Sequence, residues 1–177
     1  MKLFNFLLLF LFINNAFGQD LINLDRKMGF NKFRLETSFN NYKTNLKFLA
    51  TDKQKVKHYE YIGKDITSIF GITHKSIILS FYNNSLYSIS INFNYTTEQE
   101  DAILQKKLKE LFGYTKTSYD AESESGTESE YALMWKSSKV LLQLGKYKVI
   151  PGITIPWVTE IFFLSKKIKA EISDSEF

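Results

Sequence analysis

The chain has 177 residues, with 23 Lys and Arg against 19 Asp and Glu, a formal charge of +4 and no Cys. So small a basic excess does not argue for a nucleic-acid partner, and the lack of Cys excludes disulfides, thiolate metal sites and a lipid-anchored cysteine. A chain of this length can still bury a core large enough to hold one domain without covalent staples.

Lys2 precedes an apolar run from Phe6 to Ile13 that stops at Asn14 and Asn15, and Ala16-Phe17-Gly18 places small residues where a signal peptidase cuts. Residues 1–18 are therefore expected to be a secretory signal peptide, leaving a mature chain from Gln19, periplasmic or secreted. The run is too short for a membrane span, and no transmembrane segment is expected in the mature chain. Residues 19–177 are expected to form a single domain.

Phe33 and Leu35 alternate with charged residues, which predicts a strand between Gly29 and Phe39. Ser38 is placed to cap a short helix carrying Phe39, Tyr42, Leu46 and Leu49 at helical spacing. A second strand is predicted over Val56 to Ile62, with Tyr59 and Tyr61 on one face and Val56, His58, Glu60 and Ile62 on the other.

The organising stretch is Ser76 to Gly113. Ile77, Leu79 and Phe81 alternate with Ile78, Ser80 and Tyr82; after the turn residues Asn83 and Asn84, Tyr87, Ile89, Ile91, Phe93 and Tyr95 alternate with Ser88, Ser90, Asn92 and Asn94. This is the pattern of a half-buried antiparallel hairpin. Thr97 with Glu100 makes a capping box for a helix whose stripe is Leu104, Leu108, Leu111 and Phe112, and Gly113 is placed to end it in a left-handed cap.

From Ser118 to Glu130 the chain reads SYDAESESGTESE, which cannot bury apolar surface and is expected to be an acidic loop. Tyr131, Leu133 and Trp135 alternate into a strand, Ser137 and Ser138 turn, and Val140, Leu142 and Leu144 alternate back. After Pro151-Gly152 and Pro156, Trp157 to Ser165 is a strand apolar on both faces, hence central or covered. The tail from Lys166, ending ISDSEF, is expected to fray at its end. The fold class expected is α+β: a mainly antiparallel, twisted sheet with two helices packed on one face.

Two units look alike, each a helix, an irregular stretch and aromatic strands. With FRLETSFNNYKTNL, similar to an opening strand, small-residue turn and first helix, the chain resembles the small periplasmic α+β module of the β-lactamase-inhibitory proteins and the outer-membrane-assembly small lipoproteins. It departs from both in having neither an anchoring Cys nor disulfides. The resemblance implies an exported protein that binds other proteins.

Candidate chemistry is sparse. His58 and Glu60 lie two apart on a strand and share a face, but zinc needs three or four ligands, and a solvent-facing polar pair is the better reading. Asp120, Glu122 and Glu124 with Gly126 suggest a calcium loop, yet the sixth and twelfth positions from Asp120 hold Ser125 and Tyr131 rather than Gly and Glu. No Gly-x-Ser-x-Gly elbow occurs. The sequence therefore predicts no enzyme, no metal and no cofactor. It predicts a protein-binding module whose contact surface draws on Tyr42, Tyr59, Tyr61, Tyr82 and Tyr87 across a sheet face and on Asp120, Glu122 and Glu124 in the loop. The alternative is a carrier of a small apolar ligand on an aromatic-rich sheet.

Overall fold

In the computed structural model, residues 21–115, 117–119, 129–147 and 158–175 are described. The hairpin predicted at its centre is present: β7 (Ser76–Tyr82) and β8 (Ser85–Asn92) pair antiparallel, with Ile77 opposite Ile91 and Leu79 opposite Ile89. Asn83 and Asn84 carry φ of 47° and 64°, so both turn residues are left-handed, the geometry whose twist matches a two-residue hairpin.

Around this pair grows an eight-stranded, wholly antiparallel sheet. Its other strands are β3 (Leu46–Thr51), β4 (Lys57–Tyr61), β9 (Thr117–Tyr119), β10 (Ser129–Lys136), β11 (Val140–Tyr147) and β12 (Val158–Ser165), in the order β3-β4-β7-β8-β12-β11-β10-β9. Two short hairpins stand apart: β1 (Gly29–Phe30) with β2 (Phe33–Arg34), and β5 (Ser68–Ile69) with β6 (Ile72–Thr73). The strand between Val158 and Ser165 is central, as its two apolar faces require, lying between β8 and β11.

The order reads alike from both edges. Four sheet strands follow α1 (Leu21–Lys27), four follow α2 (Glu98–Phe112), and the halves meet where β8 pairs with β12. The two halves of the sheet are thus alike in strand order, but the first lacks the helix that the sequence reading placed through Leu46 and Leu49.

One face carries the core. Ile77, Leu79, Ile89, Ile91, Ile161, Phe163, Leu142, Leu144, Leu133 and Trp135 point the same way and are all within 1% of full burial. Leu24 of α1 and Leu104, Leu108 and Phe112 of α2 close over them in one cluster. Burying one such side chain contributes about 1.5–3 kcal/mol, so this layer is the main stabilising force. The capping box is formed, with Glu100 N–H donating to Thr97 Oγ1 at 3.3 Å and Thr97 N–H to Glu100 Oε2 at 2.9 Å.

Four expectations are corrected. The helix after Ser38 is two 3₁₀ turns, Phe39–Asn41 and Lys43–Asn45, followed by β3. Ser38 does cap, accepting from Asn40 N–H at 3.2 Å, but Asn40, Asn41, Thr44 and Asn45 favour turns over helix and pairing with β4 takes the rest. The segment that carried the family resemblance therefore holds no α-helix. The single strand from Gly29 is broken at Asn31, φ 53°, into the β1–β2 hairpin. Gly113 has φ 77° but ψ 176°, a positive-φ extended cap rather than a left-handed one.

The fourth correction concerns the helix layer. Lys166–Asp174 is a third helix, α3, capped by Ser165 Oγ, which accepts from Ile168 N–H at 3.2 Å. Its Ile168 and Ile172, one turn apart, are buried with Val56, Tyr82 and Tyr87. Tyr82 and Tyr87 follow the core residues Phe81 and Leu86, so α3 lies on the face opposite α1 and α2 and the helices do not share one side. Among the described residues no helix is long and apolar enough to cross a membrane.

Candidate functional site

Away from α3, the face opposite the core carries no helix among the described residues. Strand alternation brings Ile78 of β7, Ser90 and Asn92 of β8, Phe162 and Glu160 of β12, and Gln143 of β11 onto it, all half-buried. Here four strands present a mixed surface in which apolar side chains flank a polar centre.

Glu160 is that centre. Its strand neighbours are Asn92 on β8 and Gly145 on β11, and its carboxylate accepts from the Ser90 hydroxyl. Burial raises the pKa of the carboxyl above the ordinary glutamate value, with the Ser90 hydrogen bond acting in the opposite direction. Beside it the ring of Tyr147 lies across Gly145, where an added Cβ would fall 1.9 Å from the phenol oxygen. Gln143 Nε2 donates to that oxygen at 2.5 Å. Burial, then the charge of Glu160, pushes the Tyr147 hydroxyl up to about 12. At neutral pH the site therefore offers a neutral phenol, an amide and a carboxyl reluctant to ionise. These groups suit hydrogen bonding to peptide or hydroxyl groups.

A measurable consequence follows from linkage. A carboxyl whose folded pKa lies above its unfolded value holds its proton more tightly when folded, so stability is full below the unfolded value, about 4.5, and falls as pH rises through the raised one. Glu160→Gln keeps the acceptor but removes the charge. Urea denaturation from acid to neutral pH is expected to show wild-type stability declining relative to the variant; parallel curves would contradict the assignment.

The structure separates the tyrosines predicted as one surface. Tyr42 and Tyr61 are buried at 8% and 7% exposure, with Phe33 between them at ring-centroid distances of 5.7 Å and 5.0 Å. Tyr59 is half-buried against Phe39 and Phe81. Tyr82 and Tyr87 are on the opposite face with α3. Asp120, Glu122 and Glu124 lie outside the described residues, as does the predicted signal segment.

His58 and Glu60 share a face as expected, but each has its own partners. His58 Nδ1 is 2.9 Å from Ser80 Oγ and Nε2 is 3.3 Å from Asp52 Oδ2, while Glu60 lies 3.7 Å from Lys47. The Ser80, His58 and Asp52 line has the members of a hydrolase triad, with Ser80 only 5% exposed. No group of three or more His, Cys, Asp or Glu among the described residues could hold a metal.

Two further polar clusters hold elements together. Lys32 stacks 4.4 Å over the Tyr61 ring and meets Asp65 at 2.5 Å. Under the N-terminus of α2, Asp101 accepts from Lys146 Nζ at 3.0 Å, Thr96 Oγ1 at 2.6 Å and Tyr131 OH at 3.0 Å. Sequence reasoning passed over Glu160 and Tyr147, although a single acid within the apolar run TEIFFLS was the available signal. Compared with known proteins, the chain matches no protein-family model, no curated protein and no solved structure.

Proposed function

We propose that this chain is an exported, non-catalytic module that binds a protein partner across the sheet face centred on Glu160, with the acidic segment 118–130 as a second contact. The observation that carries this reading is a sheet face left without a helix among the described residues, where Phe162 and Ile78 flank hydrogen-bonding groups of restricted charge. Apolar anchors around a small polar centre are what a protein interface asks of a surface. A carrier of small apolar ligands would use the aromatic residues of β4, and these are packed against Phe33, Phe39 and Phe81. Export rests on the first 18 residues of the sequence.

The test is comparative affinity capture from cell-envelope extract with the tagged chain from Gln19 to Phe177, its Phe162→Asp variant and a Lys106→Glu control on the far side of α2. An envelope protein enriched by wild type and control but weakened by Phe162→Asp at least about tenfold, the loss of a modest interface anchor, is expected. Equal capture by Phe162→Asp, or no enriched protein, would sink the reading.

A further inference from the structure

The outer edge of β3 is an unusual strand. Every residue from Lys47 to Thr51 is exposed, and Phe48 and Leu49 remain 54% and 45% accessible. The ladder shows which main-chain groups are bare. Ile62 N–H donates to Asn45 O at 2.9 Å, so the Asn45 and Ile62 positions are hydrogen-bonded partners. Two residues on, Lys47 and Glu60 are bonded likewise, and Leu46 and Phe48 turn their N–H and C=O groups away from β4. Among the described residues nothing pairs with them, because β3 ends the sheet.

Beside this bare edge lies an apolar step. The Phe48 ring meets Tyr59 edge-on at 5.5 Å, and Tyr59 meets Phe39 at 5.0 Å. Around it the charge is mostly positive: between residues 43 and 57 there are five lysines, Lys43, Lys47, Lys53, Lys55 and Lys57, all exposed, against Asp52 in the same stretch and Glu60, which faces Lys47 from β4 at 3.7 Å. Asp52 is engaged, accepting from Gln54 N–H and Val56 N–H at 2.9 Å each and facing His58. Exposed apolar edge strands invite strand addition, and lysines on such an edge oppose pairing with a like-charged copy. A second copy docked antiparallel on β3 would set lysine clusters against each other. An acidic chain meets no such barrier.

We propose that β3 is a docking edge for an extended acidic segment of a partner protein. The segment would add a ninth strand through main-chain bonds to Leu46 and Phe48, rest an apolar side chain on the Phe48 and Tyr59 step, and direct its carboxylates to the flanking lysines. This surface is distinct from the Glu160 face and stands or falls independently of it.

Fluorescence anisotropy with a labelled peptide of alternating glutamate and valine, about as long as β3, tests the proposal. Saturable binding is expected to weaken at least about tenfold when alternate peptide nitrogens are methylated, which removes donors but keeps every charge, and comparably in Lys47→Glu and Phe48→Glu. Both sites are exposed, so the variants should keep the wild-type thermal transition. Absence of saturable binding, or equal affinity for the methylated peptide, would overturn the proposal. So would a dimer in sedimentation that Phe48→Glu disperses, since it would give the edge to a second copy.

Discussion

Asp101→Ala is expected to lose about 3–5 kcal/mol of folding stability, a large share of the 5–15 kcal/mol that holds a typical domain. The Asp101 and Lys146 side chains are 8% and 5% exposed, and the ammonium and carboxylate are 3.0 Å apart. Removing the carboxylate takes from the buried Lys146 ammonium its ion pair with Asp101, and from the hydroxyls of Thr96 and Tyr131 the oxygen they donate to. Lys146→Met should cost less, because the remaining Asp101 keeps those hydroxyl donors and Thr159 Oγ1 at 3.4 Å. The double variant Asp101→Leu with Lys146→Met should recover most of the loss, since an apolar pair carries no desolvation penalty. Urea unfolding of the three variants checks the order. If Asp101→Ala falls within about 1 kcal/mol of wild type, the size of one ordinary hydrogen bond, the pair does not stabilise the fold as described.

Trp135→Ala is the second large effect, about 3–5 kcal/mol. Its side chain is fully buried beside Leu142 on the core face, and its indole N–H donates to Gly113 O at 2.8 Å, tying β10 to the end of α2. Trp135→Phe retains most of the apolar contact and orphans the Gly113 carbonyl, so about 1–3 kcal/mol is expected for it. Thermal unfolding followed by far-ultraviolet circular dichroism reads both. Equal losses in the two variants would mean that the hydrogen bond, rather than the buried ring, carries the effect.

How much of this was written in local sequence depends on the element. The Ser76 to Asn92 hairpin was legible because Ile77, Leu79, Ile89 and Ile91 alternate and Asn83-Asn84 tolerates the two positive φ values its turn requires, but the register shift after Ser80 turns Tyr87 to the face opposite Ile89. The helix from Glu98 was legible because cap, stripe and terminal glycine agree. Where signals conflicted, tertiary pairing won. Phe39, Tyr42, Leu46 and Leu49 have helical spacing, yet Leu46 and Phe48 are taken by β4, and the residues before them fall into 3₁₀ turns. The helix of the tail from Lys166 was not read from the sequence, where two isoleucines one turn apart are a weak signal until Val56, Tyr82 and Tyr87 offer a surface.

The candidate site was the least legible part. Five tyrosines suggested one aromatic face, and the fold divides them between two, because alternation along a strand says which residues share a side but not which side is covered. Glu160 and Tyr147 gain their altered acidity from neighbours brought in by other strands.

By itself the sequence determined the antiparallel hairpins, the capped α2 helix, the central apolar strand and the absence of cysteine chemistry, because each depends on contacts within a few residues or on composition alone. Only the tertiary structure decided the meeting of the two halves at β8 and β12, the half-buried groups around Glu160, the buried Asp101 and Lys146 pair and the edge of β3 unpaired among the described residues, because burial and charge pairing are properties of strands distant in the chain.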